Sequence, residues 1–137
     1  MRYVTRKRLH VDRIATAWAI RRFVDRDATF SFVARERDPE KVGGIAFDIR
    51  GAELSHRDGK CTFEVLLETK HLSDPALLRM ARVIHGADLP HDDDPPAESA
   101  GVRALFDGVR DSCETDEERL ARGSALCDAL YAYLNSE

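Results

Sequence analysis

The sequence has no apolar run approaching the ~20 residues that a membrane-spanning helix needs, and its first 30 residues carry Arg and Asp throughout, with no apolar stretch of signal-peptide length. No membrane span and no export are expected, and the chain is placed in the cytoplasm. Cysteine is scarce as well. Cys61, Cys113 and Cys127 are an odd number, lie far apart and form neither a CxxC pair nor a zinc-ribbon spacing, which argues against a disulfide framework and fits reduced surroundings. There is no GxGxxG, P-loop, HExxH or GxSxG, so dinucleotide, nucleoside triphosphate and standard hydrolase chemistry have no support. An excess of positive charge is missing too: 21 Lys plus Arg stand against 25 Asp plus Glu, a net charge of -4 that argues against a general nucleic-acid binder.

What is present suffices for a core. Leu, Ile, Val and Phe make up 33 of 137 residues, about 24% and above the floor associated with disorder. With no repeat or low-complexity tract, residues 1–137 read as a single domain. The net charge conceals an asymmetry. Residues 1–41 hold 11 basic and 6 acidic side chains, whereas residues 42–137 hold 10 and 19. A basic front without a basic helix or interleaved aromatics suits a small anion better than a duplex.

Tyr3-Val4-Thr5 suggests a first strand, Val11 to Val24 a helix free of Gly and Pro, and Thr29 to Val33 a second strand of period two. That order favours a parallel pair joined by a helical crossover. Ile45 to Ile49 follows as a third strand. Thr62 then caps a helix over Phe63 to Thr69; in the rival reading Asp58-Gly59 is the type I′ turn of a hairpin. Asp74-Pro75 starts a helix that stops at Gly86, and Ala87 to Ser99, with Pro90, Pro95 and Pro96, is a loop. Ala100 to Val109 is a short helix. Thr115-Asp116-Glu117-Glu118 caps a last helix, on which Leu120, Ser124, Cys127, Tyr131 and Leu134 share one face. The fold class is α+β: a small, mostly parallel sheet of about three strands covered by four to five helices.

Two groups of side chains stand out chemically. On a helical wheel Arg13 and Arg21 fall inside the apolar arc of the first helix, and a guanidinium there needs a partner or a route to the surface. The ordinary partner is a carboxylate of the same chain, and the alternative is an oxyanion ligand. The second group is Glu53, His56, Cys61 and Glu64, within twelve residues. A helix N-terminus and a nearby imidazolium would favour thiolate at Cys61. His56, Cys61 and Glu64 are acceptable ligands for a divalent metal, although their spacing matches no standard motif. His91 with Asp92, Asp93 and Asp94 reads as a solvated acidic loop or a cation site, while His10, His71 and His85 stand isolated.

Three stretches carry a family resemblance: Val4-Thr5-Arg6 with His10-Val11-Asp12-Arg13-Ile14-Ala15, Trp18, Ile20-Arg21-Arg22-Phe23 and Asp25; Phe47-Asp48-Ile49 through Glu53-Leu54-Ser55-His56 to Cys61-Thr62-Phe63-Glu64; and Asp74-Pro75-Ala76-Leu77 to Ala81-Arg82-Val83-Ile84-His85-Gly86-Ala87-Asp88. Together they resemble the chromate-resistance family, the domain that closes the regulator ChrB and also occurs alone. The resemblance implies a role in resisting or sensing chromate, a stress response, with Arg6, Arg13 and His56 matching positions able to donate charge-assisted hydrogen bonds to a tetrahedral dianion. Cys61 is then the candidate for any catalytic electron transfer, although one thiol supplies one electron where chromate reduction to the trivalent state takes three. Family members often have Cys-Pro where this chain has Thr16-Ala17, which puts chemistry at that cysteine in doubt. The regulator's DNA-binding part is not matched, so no direct DNA binding is expected of this chain.

Three functions therefore compete: oxyanion binding through Arg6, Arg13 and His56, with no cofactor; a metal- or thiol-dependent enzyme centred on His56, Cys61 and Glu64; and a structural or partner-binding module, including a homodimer, using the stripe Leu120, Cys127, Tyr131 and Leu134.

Overall fold

Strand β1 (Arg2–Arg6) buries Tyr3, Val4 and Thr5 in succession, the pattern of a strand covered on both faces. It is the middle strand of a three-stranded parallel sheet, ordered β2-β1-β3, in this computed structural model, which describes residues 1–89 and 91–136. Pro90, one of the prolines that marks a loop in the sequence, and Glu137, the last residue of the expected domain, lie outside the described residues. Strand β2 (Thr29–Val33) runs in register with β1 from Arg2 opposite Thr29 to Arg6 opposite Val33. Five helices complete the α+β fold that the sequence predicts.

The third strand is shorter than expected. Strand β3 (Ile45–Ala46) pairs with Tyr3 and Val4, and Phe47 adds one further bond from its N–H to the carbonyl of Val4 at 3.0 Å. Asp48 then takes a left-handed backbone (φ 49°), which breaks the extended chain before Ile49 and turns the Asp48 side chain toward the helices.

Helix α1 (Val11–Ala19) continues into a π-helical turn (Ile20–Val24), closed by the N–H of Asp25 on the carbonyl of Ile20 at 2.7 Å. The wider turn rotates later residues off a uniform helical wheel, and of the two expected outcomes for Arg21, a partner or a route to the surface, the second holds. Arg21 is exposed; its guanidinium lies 4.9 Å from the Phe30 ring centroid, and Nη2 donates to the carbonyl of Ala28 at 3.3 Å.

Both readings of residues 53–69 contain part of the answer. Asp58 and Gly59 have positive φ (54° and 77°), and Arg57 and Lys60 exchange backbone bonds, so the tight turn exists but supports a single bridge. Helix α2 (Thr62–Thr69) follows at once, with Cys61 rather than Thr62 at its N-cap.

Helix α3 (Pro75–Asp88) starts as expected, with Asp74 accepting the N–H of Ala76 at 2.9 Å, but it runs past Gly86. Gly86 serves close packing: a Cβ there would lie 2.5 Å from Ser99 Oγ and 2.8 Å from Pro95 Cβ. Helix α4 (Glu98–Ser112) is longer than the predicted 100–109, and its buried Ser99 donates to the carbonyl of Val83 at 2.8 Å. Helix α5 (Asp116–Asn135) is capped by Thr115, whose Oγ1 accepts the N–H of Glu118 at 3.1 Å. Its apolar stripe is not open to a partner. Leu120, Cys127 and Leu134 are buried in the core, and Tyr131 stacks with Trp18 and Phe23. No helix among the described residues is long and apolar enough to cross a membrane.

Helix α2 packs on α1 in the core and is hydrogen-bonded to it through one side chain. Asp12, 2% exposed, accepts the N–H of Thr62 through Oδ2 and that of Phe63 through Oδ1, both at 2.9 Å. Asp12→Ala should destabilise the domain by about 1–3 kcal/mol for each N–H left unpaired. Asp12→Asn, which keeps one acceptor, should cost less. Urea unfolding measures both, and a wild-type midpoint for Asp12→Ala would show that the contact is dispensable.

Candidate functional site

The chain leaves β1 and enters α1 within five residues, so Asp12 and Arg13 emerge at the carboxyl end of the parallel sheet, and the kink after β3 delivers Asp48 to the same place. Ligands of open parallel sheets gather at that end. His56, from the loop before the Asp58-Gly59 turn, sits among three carboxylates. Its Nδ1 lies 3.1 Å from Asp48 Oδ1, and its Nε2 lies 2.9 Å from Asp88 Oδ2 and 3.5 Å from Asp12 Oδ2. Asp48 Oδ1 also accepts from the hydroxyl of Thr62 at 2.8 Å.

The electrostatics follow from crowding. Hydrogen bonds to Asp48 and Asp88 push the His56 pKa up to about 10, against the opposing effect of its partial burial, so the ring is an imidazolium at neutral pH. Burial, then the charges of Asp48 and Asp88, push the Asp12 pKa up to about 7, while the two α2 N–H groups pull against them. Arg13 completes the cluster: its Nη2 donates to the Asp48 carbonyl at 3.0 Å, and its buried Nε stands 3.1 Å from Asp48 Oδ2 as an ion pair without hydrogen-bond geometry. The guanidinium inside the apolar arc has thus found a carboxylate of its own chain.

Arg6 is engaged elsewhere, with Nη1 donating to the carbonyls of Ala34 and Arg37 at 2.8 and 2.7 Å. Of Arg6, Arg13 and His56, only His56 lines the neighbouring cleft of about 260 Å³, with Asp48, Ile49, Arg50, Gly51 and Ser55. Arg50 is exposed there, and among the described residues no carboxylate pairs with it. Sequence reasoning passed over Arg50, Asp12, Asp48 and Asp88. The local signal for Asp48 and Arg50 was slight, two charged residues flanking Ile49 directly after an apolar run.

The expected grouping of His56, Cys61 and Glu64 is split by the structure. Cys61 and Glu64 face His85 of α3 instead, with His85 Nδ1 2.5 Å from Glu64 Oε1. Glu64 Oε1 also accepts the N–H of Cys61 at 3.0 Å, while the Cys61 sulfur accepts the N–H of Glu64, a reciprocal capping box. The expectation of a thiolate is corrected. Cys61 is fully buried, and burial together with the Asp12 and Glu64 charges pushes its pKa far above the ordinary thiol range.

His10 and one aspartate of the acidic loop are also paired. His10 Nε2 pairs with Asp107 at 2.5 Å, and Asp92 is tied to Arg82 at 3.0 Å.

A parallel sheet covered by helices, with a histidine-carboxylate cluster at its carboxyl end, defines the class as an α+β domain. The sequence profile described as ChrB, C-terminal domain, matches residues 3–134, and the chain belongs to that chromate-resistance family. The curated Protein ChrB of Cupriavidus metallidurans is 37% identical over 136 residues, 98% of this chain and 41% of that protein. The chain therefore spans about two-fifths of the length of this relative. No solved structure matches it.

Because the folded pKa of His56 is raised above its unfolded value near 6.5, its contribution to stability is fully present below about pH 6.5 and is lost as the pH rises through about 10. The urea midpoint should fall across that window in the wild type, and His56→Asn should flatten the fall. An unchanged slope in His56→Asn would assign the pH dependence to other groups.

Proposed function

We propose that the domain binds a small tetrahedral oxyanion of the chromate class in the cleft beside His56. The carrying observation is that Arg50, without a carboxylate partner among the described residues, and the imidazolium of His56 line one cleft of a size to hold such an ion. Membership of the chromate-resistance family supports the choice of anion. The roles of the two cations differ. Both ring nitrogens of His56 are occupied by Asp48 and Asp88, so it offers a fixed positive charge and no free hydrogen. Arg50 offers a forked donor of the kind that fits a tetrahedral oxyanion. Relative to the sequence-based expectation the donor set shifts from Arg6, Arg13 and His56 to Arg50 and His56. Arg13 becomes the residue that holds Asp48 against His56.

The alternative of a thiol-dependent enzyme draws no support from the site, because the Cys61 thiol is buried and neutral. A neutral thiol is the poor form for nucleophilic or reducing chemistry.

Calorimetric titration of chromate and of sulfate at low salt tests the proposal. Arg50→Ala should weaken binding by about 10–100-fold, the loss of one charge-assisted pair, whereas Arg6→Ala should leave it unchanged. Equal binding by wild type and Arg50→Ala, or a loss confined to Arg6→Ala, would reject the cleft as the site.

A further inference from the structure

Beyond the anion cleft, the N-terminus of α2 and the last turns of α3 bring together three side chains of different donor type. A sulfur of Cys61, an oxygen of Glu64 and a nitrogen of His85 all lie within 4.8 Å of one another. We propose that Cys61, Glu64 and His85 form a binding site for a zinc-class divalent cation, with the fourth coordination position left to water or a ligand.

The donor set is the first reason. Thiolate, imidazole and carboxylate are the three side-chain ligands zinc takes, and three protein ligands with one open position is the arrangement of its reactive sites. Geometry is the second. Bond lengths of 2.0–2.3 Å place tetrahedral ligands roughly 3.3–3.7 Å apart, and donor atoms all within 4.8 Å of one another are near that spacing. Preorganisation is the third. Cys61 and Glu64 are fixed at the N-cap and third position of α2 by their reciprocal capping bonds, and His85 stands on a fourteen-residue helix. Access is the fourth: the side chains of Glu64 and His85 are about 20% exposed, and Glu64 also walls a surface cleft of about 230 Å³.

The buried Cys61 sulfur lies near the carboxylates of Asp12 and Glu64, and a divalent cation bound there offsets their charge. On binding, the S–H bond breaks, the proton passes to solvent, and the sulfur lone pair goes to the metal; any proton shared by Glu64 and His85 leaves in the same way. The donor atoms of Asp12, Asp48 and His56 also lie close together, but that cluster holds no sulfur. Both Asp12 oxygens accept N–H groups of α2, and both His56 nitrogens face carboxylates.

Cobalt(II) titration of the metal-free full chain, followed by zinc competition, gives a readout independent of any anion. Wild type should take one equivalent and develop a near-ultraviolet thiolate-to-cobalt band with visible bands of tetrahedral intensity. Cys61→Ser should abolish the near-ultraviolet band, and His85→Ala should weaken cobalt binding by about 100-fold or more. His56→Ala should leave both unchanged, although the same substitution bears on the oxyanion proposal, so the two can fail separately. Serine retains an N-cap oxygen, and circular dichroism of both ligand variants separates loss of a ligand from loss of fold. Absence of the thiolate band in wild type, wild-type affinity in His85→Ala, or a loss that follows His56→Ala would each overturn the assignment.

Discussion

A single buried carboxylate ties the candidate site to the scaffold. Asp12 sits in the first turn of α1, an ordinary place for an acid beside a helix N-terminus, yet both of its oxygens serve a different helix. Fixing Thr62 and Phe63 fixes the start of α2, and with it Cys61, Glu64 and the Thr62 hydroxyl that reaches Asp48. The negative charge needed for that attachment has then to be tolerated in a nearly dry place. His56 and Arg13 supply compensation, and Asp48 and Asp88 hold His56 charged. The cluster is in this sense the electrostatic cost of joining two helices at the end of a sheet, offset by the cations of His56 and Arg13.

That origin changes the meaning of the basic front of the chain. Most of its arginines are structural. Arg6 holds the turn after β2, Arg13 holds Asp48, and Arg22 lies over Trp18 and Tyr131 while pairing with Asp128. Arg50, which lines the cleft with no carboxylate paired to it among the described residues, lies outside the basic segment altogether. A net count of charge along the chain located positive residues but not free positive charge, because pairing is decided by the fold.

Local chemistry was legible at three elements whose partners are also local, although the cap of α2 falls on Cys61 and not on Thr62. Asp74-Pro75, Thr115 with Glu118, and the alternation of Thr29 to Val33 fix their elements through neighbours a few residues away, and all three appear as read. The π-helical turn after Ala19 was not, since one extra residue per turn leaves no mark in composition. The end of β3 depended on the backbone of one aspartate, Asp48, and the passage of α3 through Gly86 depended on Ser99, thirteen residues further on. The site shows the same division. His56, Cys61 and Glu64 were singled out by proximity in sequence, but His85 joins Cys61 and Glu64 from another helix and Asp88 joins His56 from the same one. The stripe on α5 was correctly apolar, and only its partner was misjudged: α1 lies against it.

The three cysteines, first noticed for being unpaired, are all buried, at the N-cap of α2, at the C-cap of α4 and in the middle of α5. A thiol shielded in this way is protected by packing rather than by the redox poise of its surroundings, so the cysteine count reports little about compartment. It also makes each sulfur a clock for local opening. A thiol reagent reaches it only when its segment comes apart, and three sulfurs in three helical contexts time three separate openings of the same core.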